Sequence, residues 1–105
     1  MNIDVKIELL HWEGCPSTAE ARGELEQVLR ARGLDAEIEM REVTTQADAE
    51  QLDFHGSPTI RIDGRDVDPD GARRQRAALA CRIYHLPDGR VSPIPSREML
   101  EEALR

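Results

Sequence analysis

The chain has 105 residues, 39% of them hydrophobic, with a formal net charge of −7; a chain this long buries about 65% of its unfolded surface, so one core and a single domain over residues 1–105 are expected. The negative balance excludes nonspecific attraction to nucleic acid or to an anionic membrane, because both need a positive face. No apolar run approaches the roughly 20 residues of a membrane span, and "MNIDVKIELL" lacks the basic and apolar regions of a secretory signal, so the expected location is cytoplasmic.

In chain order, Val5, Ile7 and Leu9 alternate with Asp4, Lys6 and Glu8, which predicts a strand with one buried face. Ala21, Leu25, Val28 and Leu29 fall at helical spacing between Pro16 and Arg32; Pro16 suits the first turn and Gly33 the stop. "AEIEMREV" alternates again, with Ala36, Ile38 and Met40 on one face. Thr45 followed by Asp48 predicts a capped helix that fades at "FHG". "SPTIRIDGRDVD" reads as a hairpin turning at Asp63-Gly64, with Ile60 and Ile62 on one face. "PDGARRQRAALA" has no clear pattern, and "CRIYHLPDGRV" predicts a short hairpin at Pro87-Asp88-Gly89. Ser96 caps a last helix whose apolar stripe is Met99, Leu100, Ala103 and Leu104. A strand–helix–strand start implies a parallel pair with a right-handed crossover.

Cys15 stands where the first helix begins. Unpaired backbone N–H groups and the positive end of the helix dipole favour thiolate there, so an exposed nucleophile with a lowered pKa is expected. Gly14 allows a sharp turn that leaves the sulfur uncrowded, Pro16 gives up an N–H that the first turn does not need, and His11 and Trp12 are placed to shield the thiol. Thr18, one turn on, is positioned to donate a hydrogen bond to Cys15. A cysteine that merely caps the helix is the alternative. Cys81 shares its alternation with Ile83, which predicts an inward-facing small residue; equally, a hairpin returning toward Cys15 brings Cys81 near as a resolving thiol. "DVDPDG" imitates the start of a calcium loop, but Ala77 stands at the twelfth position where a glutamate is required. Its acids are expected to solvate a turn or to pair with Arg73, Arg74 and Arg76. No Cys-x-x-Cys or His-x-x-x-His spacing suggests a metal centre.

The element order, together with "GCP", "SPTIRIDGRDVDP", "ACRIY" and "PSREML", resembles the thioredoxin-like superfamily. More narrowly it is similar to small bacterial thioredoxin-like proteins grouped with the alkylmercury lyases. The resemblance implies an α/β three-layer fold, a central mixed β-sheet flanked by helices, with an extra loop and hairpin before the C-terminal helix; the segment from Asp70 to about Pro95 departs from the family. It implies Cys15, Thr18 and Pro58 as catalytic residues, Thr18 standing where the family has a second cysteine and Pro58 in a cis peptide against Cys15; Cys81, in the departing segment, joins them as the resolving thiol read above. Trp12, Gly14, Pro16, Ser57 and Thr59 are implied for substrate binding, the Ser57 backbone offering strand-like hydrogen bonds to a peptide or thiol. The implied activity is thiol–disulfide exchange or thiol adduct formation with a protein or small-molecule partner, with no cofactor. Two other readings stay open: a soft metal such as mercury held by Cys15 and Cys81, with Asp66 or Asp68 as a proton donor for carbon–mercury cleavage, and a peptide-binding module without catalysis.

Overall fold

A computed structural model describes residues 5–105, so Asp4 lies outside the described residues. Along the chain run β1 (Ile7–His11), α1 (Thr18–Ala31), β2 (Ile38–Glu42), α2 (Gln46–Gln51), β3 (His55–Ser57), β4 (Thr59–Ile62), β5 (Arg65–Asp66), α3 (Pro69–Arg73), β6 (Ala78–Cys81), β7 (Tyr84–His85), β8 (Val91–Ser92) and α4 (Arg97–Ala103). β1 pairs in parallel with β2 and antiparallel with β4, and β4 turns back into β5, giving a mixed sheet in the order β2-β1-β4-β5. The Asp63-Gly64 turn has positive φ at both residues, 52° and 81°, the backbone a two-residue hairpin needs to match strand twist.

Helices cover both faces of this sheet. Ile7 and Leu9 of β1 join Ile60 and Ile62 of β4 against Ala21, Leu25, Val28 and Leu29 of α1 and Leu100 of α4. Leu10, the next residue along, turns to the other face and meets Val43, Ala49 of α2 and Phe54, as strand alternation requires. The expectation of one buried face for β1 is therefore corrected. A central strand with helices on either side buries both, and even Glu8, opposite Arg61 of β4, is only 9% exposed.

The helix caps follow the expected residues. Thr45 accepts the Asp48 N–H at 3.0 Å, and Ser96 accepts that of Met99 at 3.2 Å. α1 ends at Gly33, where Leu34 N–H returns to Leu29 and Gly33 N–H to Arg30, the paired bonds of a Schellman stop. The start of α1 differs from the expectation. Its cap is Ser17 and its first residue is Thr18, so Cys15 and Pro16 belong to the turn before the helix.

The patternless segment is more ordered than a loop. α3 begins at Pro69 with Asp68 as its cap, and the chain then enters β6, which pairs in parallel with β3. The hairpin that turns at Pro87-Asp88-Gly89 joins β7 to β8. No helix among the described residues is long and apolar enough to cross a membrane.

Leu25 is fully buried between α1 and the sheet, so Leu25→Ala is expected to lower unfolding free energy by about 2–5 kcal/mol in urea denaturation, with m little changed.

Candidate functional site

The first strand ends at His11, and the chain turns so that Cys15 N–H donates to Trp12 carbonyl oxygen at 3.0 Å. The Trp12 indole lies across this turn. A Cβ on Gly14 would meet its ring carbons at 2.5 Å, so Gly14 is required by the tryptophan above it. The sulfur is not the exposed one expected from sequence. Cys15 is 8% exposed, and its Sγ donates to the Ser57 carbonyl at 3.2 Å. Thr18 Oγ1 is buried with no hydrogen-bond partner, so the expected bond from Thr18 to Cys15 is not made. Gly14 and Pro16 are exposed, while Trp12 is half-buried and packs on the Leu10–Phe54 cluster.

Across from this turn, the Ser57–Pro58 peptide is cis, as the resemblance implied. Ser57 and Thr59 are fully buried, and their polar atoms are taken. Ser57 Oγ accepts the Trp12 N–H at 2.9 Å. The Ser57 carbonyl accepts both the Cys15 thiol and the Arg82 N–H, the latter at 2.8 Å. Thr59 Oγ1 donates to the Gly56 carbonyl at 2.7 Å and accepts from Arg82 Nη1 at 3.2 Å. The backbone expected to meet an incoming peptide is thus already paired, and its neighbour is the chain's own β6. Gly56 makes that approach possible. Its φ is +108°, and a Cβ there would stand 2.9 Å from Arg82 Cα and N, so only glycine lets the two backbones lie this close.

β6 carries Cys81 to the position opposite Ser57, the residue whose carbonyl holds Cys15. The alternation read from Cys81 and Ile83 is inverted. Both are exposed, and the residues between and after them, Arg82 and Tyr84, are buried at 1% and 0%. The reason lies in Arg82. Its Nη1 and Nη2 donate to the two carboxylate oxygens of Asp66, each at 2.7 Å, and Nη2 also donates to the Asp68 carbonyl at 2.9 Å. The guanidinium lies 4.4 Å from the Tyr84 ring centroid, a stacking contact, and Tyr84 OH donates to the Pro58 carbonyl at 2.6 Å. Desolvation opposes the Arg82 charge, yet the hydrogen bonds and charge of Asp66 outweigh it and raise its pKa. Burial holds the Tyr84 phenol protonated, well above its ordinary range. Nothing in hydropathy marks Arg82 and Asp66; an arginine inside an apolar alternation was the available signal.

Desolvation and the neighbouring Cys15 sulfur, acting as charge and as hydrogen-bond partner, push the Cys81 thiol up. Ser57 thus lies beside both cysteines, its carbonyl bonded to Cys15 and its strand position facing Cys81. The proposed proton donors are otherwise engaged: Asp66 is bonded to Arg82, and Asp68 Oδ1 accepts the Gly71 N–H at 3.1 Å as the cap of α3. Of the three arginines expected to pair with these acids, Arg73 bonds Asp70. No cluster of three or more potential metal-ligating side chains occurs among the described residues. Comparison with protein-family models, curated proteins and solved structures finds no match.

Two outcomes test this geometry. Arg82→Met leaves Asp66 without its cation in a largely buried place and is expected to cost about 3–5 kcal/mol, while Asp66→Leu combined with Arg82→Met costs less than the two single changes summed; denaturant melts of the four proteins decide it. A raised Cys81 pKa means that the thiol keeps its proton to higher pH. The rate of Cys81 alkylation by iodoacetamide, followed by peptide mass, should therefore rise with a midpoint above that of an ordinary cysteine, and Cys15→Ser should move that midpoint down.

Proposed function

We propose that the protein is a thioredoxin-like thiol–disulfide exchange protein in which Cys15 is the nucleophile and Cys81 the resolving thiol. The observation that carries the reading is the placement of both cysteines beside Ser57, whose carbonyl accepts the Cys15 thiol and whose strand position faces Cys81. The parallel β1–α1–β2 unit, the antiparallel β4–β5 hairpin and the cis peptide before β4 support the thioredoxin-like reading.

Desolvation, and after it the neighbouring Cys15 sulfur, raise the Cys81 thiol, so Cys81 keeps its proton to higher pH, which suits a reserve thiol. Gly14, Pro16 and Trp12 form the surface around the sulfur that a partner meets, and Ser57, Pro58 and Thr59 form the floor.

In the exchange, the Cys15 thiolate attacks one sulfur of a partner disulfide. The Cys15–partner bond forms, the partner S–S bond breaks, and the departing thiolate takes a proton from solvent. Cys81 then gives its proton to solvent and attacks Cys15 Sγ. The Cys15–Cys81 bond forms, and the second partner sulfur leaves and is protonated. The partner disulfide is reduced and the protein's dithiol oxidised; an external dithiol restores the pair by the reverse steps.

Treatment of the reduced protein with diamide, followed by non-reducing peptide mapping, is expected to give an intramolecular Cys15–Cys81 disulfide. Cys81→Ser should stop at a mixed disulfide on Cys15 with hydroxyethyl disulfide, and Cys15→Ser should lose reduction of that compound. A folded protein whose two cysteines never cross-link under diamide would sink the proposal.

The same placement of both cysteines beside Ser57 favours a second reading, in which the two thiolates hold a soft cation such as mercury(II) in two-coordinate fashion. Mercury affinity that is unchanged in Cys81→Ser would count against it.

A further inference from the structure

Backbone groups of successive strand residues point to opposite edges. Arg82 N–H faces β3, where it donates to Ser57, so the corresponding groups of Cys81 and Ile83 face outward. No strand among the described residues lies there. Instead a single side-chain carboxamide takes both: Gln75 Nε2 donates to the Cys81 carbonyl at 3.2 Å, and the Ile83 N–H donates to Gln75 Oε1 at 2.8 Å. One residue of a parallel neighbour makes this same pair of bonds, its N–H donating to the carbonyl of residue i−1 and its C=O accepting from the N–H of residue i+1. An antiparallel neighbour would use both groups of one residue. The Gln75 carboxamide therefore stands in for one residue of a parallel strand centred on Arg82.

Resting on the exchange reading above, we propose that this outer edge, from Cys81 to Ile83, docks an extended acidic segment of a partner polypeptide, parallel to β6, which displaces the Gln75 side chain. The charge of the occupant follows from its surroundings. Arg74 and Arg76 flank Gln75, both are exposed, and neither has an ion-pair partner among the described residues, although the chain as a whole carries −7. Ile83, 48% exposed, adds an apolar contact on the same edge. Exposed strand edges are templates for such pairing, with the main chain giving affinity and side chains giving selectivity. The register follows as well. The partner residue opposite Arg82 supplies both bonds, and the residue before it lies opposite Cys81, on the same face, at an interstrand spacing of about 4.8 Å. That is within the Cα separation a disulfide spans, so a partner cysteine at that place meets the sulfur pair.

The test uses a synthetic peptide with glutamates at both ends, β-branched residues between them, and serine at the place facing Cys81, so that binding is independent of thiol chemistry. Titrated into the reduced full chain and followed by amide NMR, it should shift the Ile83 amide and the Gln75 side-chain amide. Gln75→Ala, which removes the competing carboxamide, should tighten binding about fivefold. Arg74→Glu with Arg76→Glu should weaken it roughly tenfold while reduction of uncharged hydroxyethyl disulfide stays unchanged. N-methylation of the peptide residue opposite Arg82 should abolish binding. Equal binding of a lysine-for-glutamate peptide, undiminished binding of the N-methylated one, or no binding at all would overturn the docking edge. Loss of peptide binding with hydroxyethyl disulfide still reduced defeats this inference alone; peptide binding without disulfide reduction supports the edge and defeats the exchange reading.

Discussion

The Arg82–Asp66 ion pair is the constraint on which the site depends. An arginine at 1% exposure is held by both oxygens of one carboxylate, by the Asp68 carbonyl and by Thr59 Oγ1. Such pairs contribute little net stability over an apolar replacement, because desolvation consumes much of the Coulomb attraction. What they contribute is position. Asp66 ends the hairpin that follows the cis peptide, and Arg82 sits one residue after Cys81, so the pair fixes the second cysteine relative to the main sheet. Tyr84, bonded to the Pro58 carbonyl and stacked on the guanidinium, fastens the same joint from the other side.

With that joint closed, the segment after α3 fills the edge beside Ser57 and places Cys81 opposite it. The outer edge of β6 becomes the surface that faces solvent in place of β3. On the proposed reading, the surface offered to a partner lies one strand further out.

Sequence made the periodic parts legible. The apolar spacing of Leu25, Val28 and Leu29, the Thr45 and Ser96 caps and the Asp63-Gly64 turn each act through neighbours a few residues away, and each is found where expected. The site was legible in its parts but not in its assembly. Cys15 and Ser57-Pro58 stood out as local motifs, whereas the burial of Cys15, the pairing of β3 with β6 and the inversion at Cys81 all depend on residues far apart in sequence. Arg82 shows why. A period-2 reading places polar residues outside, and only the distant Asp66 carboxylate reverses that choice. Gly56 was hidden for a similar reason, since its need for glycine comes from the Arg82 backbone and not from its own neighbours.

The single acceptor shared by Cys15 and Arg82 couples chemistry to conformation. On the exchange reading, the two sulfurs meet only when β6 is seated on β3, and their effective concentration then measures how often that seating occurs. Thermodynamic reciprocity then applies: whatever the seated strand does to favour the disulfide, the disulfide does equally to favour the seated strand. On that reading the oxidised and reduced forms differ in the local opening equilibrium of residues 78–84, and the redox state of one bond becomes readable as the hydrogen-exchange protection of a strand edge.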